Sequence, residues 1–121
     1  MRSLFEIPLI RQMLGIPQVA SANPLEDAAA AYQRGDYATA LRLWRSLANQ
    51  GHPYGQNNLG AMYAEGQGVP QDYIEAHKWF NLAEVAGDEY AARNRSFAES
   101  KMTREQIAEA QRRAAAWKPA R

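Results

Sequence analysis

Along residues 24–117 the apolar positions return every three or four places, which is the period of helices buried along one side. Ala40, Leu43, Trp44 and Leu47 mark one stripe, and Ala76, Trp79, Phe80 and Ala83 another. Polar caps and glycines divide the stripes into elements. Asn23 is placed to cap a first helix, with Pro24 in its opening turn, Glu26 three residues on and Gly35 at its end. Asp36 then caps a second helix running to Gly51. A third is predicted from about Tyr54 to Glu65, closed by Gly66, and Asp72 with Glu75 opens a fourth that ends at Gly87. A fifth begins near Asp88 and contains Tyr90, Ala91 and Phe97. Thr103 and Gln106 form a capping box for a last helix, on which Ile107, Ala110, Ala114 and Trp117 share a face before Pro119 ends it.

The helices repeat. Asp36-Tyr37-Ala38-Thr39-Ala40 aligns with Asp72-Tyr73-Ile74-Glu75-Ala76 at an offset of 36. The same offset carries Leu43-Trp44 to Trp79-Phe80, Gly51 to Gly87 and Tyr54 to Tyr90. Upstream, Tyr32 and Gly35 map onto Tyr63 and Gly66 at an offset of 31, and the difference is the loop 67–71, present only in the second unit. Self-similarity at this period is the signature of stacked helix pairs, each unable to bury its own apolar face alone. Residues 23–102 are therefore read as repeats, and 103–121 as a capping helix and tail that lids the open end.

The residues Asn58-Leu59-Gly60, Tyr63, Gly66-x-Gly68-Val69, Asp72-Tyr73, Ala76, Trp79-Phe80, Ala83 and Ala86-Gly87 resemble the Sel1-like repeat, a relative of the tetratricopeptide repeats. The resemblance spans about 54–87; residues 25–53 look like a shortened preceding unit and 88–100 like the start of a third. It implies an all-α fold, a short right-handed superhelix of about two and a half units. It also implies an adaptor that holds a peptide or protein surface in the concave groove lined by the first helix of each unit. Gly60 and Ala76 would let the paired helices approach, with Leu59, Tyr63, Trp79 and Phe80 supplying bulk.

On that expectation the groove positions are those opposite Leu59 and Tyr63: Tyr54, Asn57, Ala61, Ala64 and Glu65. Equivalent spacing picks out Glu26, Ala30, Gln33 and Arg34 in the first unit, and Tyr90 and Arg93 in the third. Aromatic anchors, amides and charges over small alanines suit an extended peptide. The alternatives are that the face is simply solvated, or that it closes against a second copy of the chain.

Charge modifies the picture without replacing it. Net charge is +1, but residues 1–92 carry six Lys/Arg against ten Asp/Glu, and 93–121 carry eight against three. The basic segment, with Phe97 and Trp117 as stacking groups, is the one feature that suits nucleic acid, although the acidic body repels phosphate. The other reading is the wet face of a helix docked on an acidic body. Residues 1–22 read either as an amphipathic arm or as a degenerate export signal. An apolar stretch is broken by Glu6, Arg11 and Gln12 and followed by Ala20-Ser21-Ala22, which leans the localisation toward export.

Chemistry is sparse. The absence of cysteine excludes disulfides, thiolate metal sites and a cysteine nucleophile. His52 and His77 lack a metal-ligand spacing, and His77 is expected to be solvated. Gly66-Gln67-Gly68 is not followed by the Gly-Lys-Ser/Thr of a phosphate loop, and no serine sits in a nucleophile elbow. Glu105 and Glu109 are placed to pair with Arg112 and Arg113. The expectation is a binding module with no catalytic residues, no metal and no cofactor.

Overall fold

The computed structural model describes residues 23–120, so the arm-or-signal segment 1–22 and Arg121 lie outside the described residues. Within them the chain forms six helices and no strand: α1 (Pro24–Gln33), α2 (Tyr37–Asn49), α3 (Pro53–Glu65), α4 (Tyr73–Val85), α5 (Ala91–Glu99) and α6 (Arg104–Ala116).

The expected caps stop the chain where helices begin. Asn23 Oδ1 accepts from the N–H groups of Leu25 and Glu26, Asp36 from Thr39, and Asp72 from Ile74 and Glu75. Thr103 and Gln106 bond reciprocally, which satisfies two otherwise orphaned donors. One cap was not legible: His52 Nδ1 accepts from Tyr54 N–H at 3.2 Å and opens α3. The fifth helix starts later than expected, because Asp88 caps only a turn, accepting from Tyr90 N–H at 2.9 Å.

From α1 to α5 each helix packs against the next, and α6 packs against α4. The core interleaves alanines with a few large side chains, two of them indoles. Ala28 and Ala31 of α1, Ala40, Trp44, Leu47 and Ala48 of α2, Leu59 and Met62 of α3, and Trp79 of α4 form one cluster. Ala64, Ala76, Phe80 and Ala98 form a second that carries the stack into α5. Alanines set the close helix spacing. Gly60 sets it more tightly, since a Cβ there would stand 2.7 Å from two ring carbons of Phe80 and 3.1 Å from the Ala76 carbonyl oxygen. Both indoles are inside, Trp44 at 3% and Trp79 at 4% exposure.

The inserted loop of the second unit belongs to the first unit's packing. Gly68, at φ +76°, lies over the start of α2, where a Cβ would meet the Tyr37 carbonyl oxygen at 3.1 Å. Tyr32 OH donates to Gln67 Oε1 at 3.0 Å, and Gln71 Nε2 donates to the Ala64 carbonyl at 2.9 Å. That explains why the loop carries Gly-x-Gly.

The last helix, expected as the lid of the stack, packs against one neighbour. It lies along α4, in the layer of second helices, burying Ala110 and setting Trp117 edge-on to Trp79 with ring centres 6.2 Å apart. Arg113 of α6 bonds Glu75 of α4 at 2.7 Å and Glu109 at 2.8 Å, and Arg112 also pairs with Glu109. The tail then runs back to the turn after α2, where Ala120 N–H donates to the Asn49 carbonyl at 2.6 Å.

Candidate functional site

The first helices of the three units share one face, and two adjoining depressions run along it. The larger, about 340 Å³, is lined by Ala29, Tyr32 and Gln33 of α1, Trp44 of α2, and Tyr54, Asn58, Ala61 and Glu65 of α3. The smaller, about 100 Å³, is lined by Ala61, Ala64 and Glu65 of α3, Phe80 of α4, and Asn94 and Phe97 of α5. Ala61 and Glu65 belong to both, so the groove is continuous across α1, α3 and α5.

Helical geometry explains the line-up. Tyr54, Asn58, Ala61 and Glu65 fall four, three and four residues apart on α3, which keeps them on one stripe. Trp44 rises between α1 and α3 because Gly55 lets α3 close on α2, and its ring meets Tyr54 edge-to-face at 5.5 Å. Tyr32 is tilted against Tyr37, with ring centres 5.1 Å apart. Asn58 Nδ2 donates to the Tyr54 carbonyl at 3.0 Å.

Five of the expected groove residues, Gln33, Tyr54, Ala61, Ala64 and Glu65, line these depressions. The others do not. Asn57 is only 8% exposed, and its Oδ1 accepts from Asn94 Nδ2 at 3.0 Å, so it braces α3 against α5. Tyr90 sits at the N-cap of α5 because that helix starts late, and Arg93 points away, one residue and so about 100° from Asn94. Glu26 lies on the α1 stripe a turn before Ala29, exposed, and Arg34 pairs with Asp36 at 3.5 Å. Ala30 is exposed beside the Ala29 and Gln33 stripe. Asn94 and Phe97 were legible in principle: the offset of 36, applied to Asn58 and Ala61 instead of Tyr54 and Asn57, lands on them.

A second polar centre lies between α4 and α5. His77, expected in solvent, is 0% exposed. Its Nε2 donates to Glu99 Oε2 at 2.8 Å, while Nδ1 is buried without a hydrogen-bond partner. Arg95 bonds the same Glu99 oxygen at 2.7 Å and Glu84 at 2.8 Å. The His77 hydrogen bond first, then Arg95, hold the Glu99 carboxyl below its ordinary range despite partial burial. A depressed carboxylate stabilises the fold above its unfolded pKa, and that stabilisation is lost as pH falls through the folded value. Urea midpoints should therefore drop as pH is lowered from 5 toward 3 (the range roughly spanning a carboxylate's titration). The drop should be shallower in Glu99→Gln.

Among the described residues no cluster of His, Asp and Glu could hold a metal ion, and no helix is long and apolar enough to cross a membrane. The Sel1 repeat family model matches residues 28–52 and 53–88, two stretches that together cover half of the chain. The chain belongs to the Sel1 repeat family, whose members are generally protein-interaction modules and typically not enzymes. The first matched stretch runs from the middle of α1 through α2, the second from α3 to the turn after α4. No curated protein matches the chain.

Proposed function

We propose that this protein is an adaptor that holds an extended peptide segment of a partner protein in the groove across α1, α3 and α5. The continuity of the two depressions through Ala61 and Glu65 carries the reading, because it presents alternate pockets along one line. An extended chain needs that arrangement, since every second side chain points the same way. Exposed aromatics at Tyr54 and Phe97 supply anchors, and Gln33, Asn58 and Asn94 supply amides for the peptide backbone. Paired arginines and a packed Trp117 weaken the nucleic-acid alternative: Arg95, Arg112 and Arg113 are already bound to carboxylates, and Trp117 lies against Trp79.

Ala61→Trp tests this. Ala61 is only partly buried, flanks the second core cluster without being one of its buried members, and is shared by both depressions, so a large ring there fills the groove. On an array of random twelve-residue peptides the native chain should retain a subset and the variant none. Urea stability should stay within about 0.5 kcal/mol of the native value, as for a surface change. A variant that retains the same peptides would place binding elsewhere.

A further inference from the structure

The larger depression has the makings of a cation site. Three aromatic side chains line it, Tyr32, Trp44 and Tyr54, together with one carboxylate, Glu65, and no lysine or arginine. An aromatic face attracts a cation within about 6 Å of its centre. This molecule already uses that contact, with the Lys78 ammonium 4.2 Å from the centre of the Trp79 ring. Trp44 is only 3% exposed and floors the site, so Tyr32 and Tyr54 are the rings a guest reaches.

Among the described glutamates without a lysine or arginine partner, Glu26, Glu65, Glu89 and Glu105, Glu65 is the one that lines the groove. Glu75, Glu84, Glu99 and Glu109 each hold a lysine or arginine. Glu65 is exposed at the junction of the two depressions, and among the described residues no ion pair compensates its charge. The acidic excess of residues 1–92 adds a field of the same sign.

We propose that the larger depression receives a lysine or arginine side chain of the bound peptide, its charge lying over the aromatic rings and against Glu65. This rests on the groove's being the peptide site. The volume of about 340 Å³ is ample for either side chain, and the amides of Gln33 and Asn58 stand at its rim as further partners. The smaller depression, walled by Ala61, Ala64, Phe80 and Phe97, takes a small apolar side chain of the same peptide. An extended chain brings side chains two positions apart to one face, so the two residues are expected at that spacing.

The test is an NMR titration of the full ¹⁵N-labelled chain with peptides blocked at both ends on one alanine–serine backbone. Their central residue is arginine, lysine, norleucine or glutamate. The arginine and lysine peptides should shift the Trp44 indole and Glu65 amide signals and bind roughly five- to thirtyfold more tightly than the norleucine peptide. Glu65→Gln should narrow that gap without closing it, because the aromatic contribution remains, with an unchanged melting temperature, and added salt should narrow it too. Equal binding of norleucine at the same signals would overturn the cation site while leaving the groove reading intact. No shift by any peptide at Gln33, Asn58, Ala61 or Phe97 would sink both.

Discussion

Replacing Trp79 with alanine is expected to lower the unfolding free energy by about 3–5 kcal/mol, the usual loss for a buried large aromatic. The indole is shared by several parts of the molecule. It packs in the cluster that joins α1, α2 and α3, meets Trp117 of the C-terminal segment edge-on, and carries the Lys78 ammonium over its face. A truncation therefore leaves a cavity that three elements line and none can fill by itself. Against a total stability of about 5–15 kcal/mol, this change should leave the chain close to unfolding at 25 °C. Urea denaturation followed by far-UV circular dichroism measures it. A loss below 1 kcal/mol would mean that the indole is not the hinge of the packing.

Gly55→Val should be nearly as damaging, by roughly 3 kcal/mol, at the upper end of ordinary overpacking. Glycine inside a helix ordinarily costs about 1 kcal/mol relative to alanine, so a side chain there would otherwise help. Here it cannot. A Cβ at Gly55 would lie 2.7 Å from the Leu47 Cβ, 3.1 Å from the Ala48 nitrogen and 3.2 Å from the Leu47 carbonyl carbon. Two of those atoms are main chain, which has no rotamer by which to move aside. The substitution must push α3 off α2 at the junction between units, and the buried Gln56 Nε2 would lose its bond to the Ala48 carbonyl, now 3.3 Å. Hydrogen exchange should show the loss concentrated in α2 and α3; uniform protection would argue that the helices can part without cost.

Most of the fold was legible because its signals are local. Caps act within three residues, stripes within a turn or two, and the repeat offset multiplies each of them, so Asp36 and Asp72 or Trp44 and Trp79 support one another. The failures share a different character. Asn57 is buried by Asn94, 37 residues away, and His77 by Glu99, 22 residues away. A polar side chain between helices reads the same as one facing water until its partner is placed. The groove was half legible for the same reason: on α3 the stripe runs through Asn58 where Asn57 was expected, and the offset of 36 carried that one-residue error to Arg93 in place of Asn94. The position of α6 was hidden too. Its stripe shows that it docks, and nothing in a stripe says on which neighbour.

The bond from Ala120 to Asn49 makes this short stack differ from an open row of helix pairs. In an open row each unit touches only its neighbours, so the ends can melt while the middle persists. Here Trp117 and Ala120 clasp the turn between α2 and α3, with Trp117 Cη2 3.7 Å from where a Cβ on Gly51 would stand, and the tail closes back on the first unit. Loosening the tail pulls on the turn between α2 and α3, which favours all-or-none melting over gradual fraying. A surface formed by α1, α3 and α5 would then be held at fixed curvature, with less freedom to flex around different occupants.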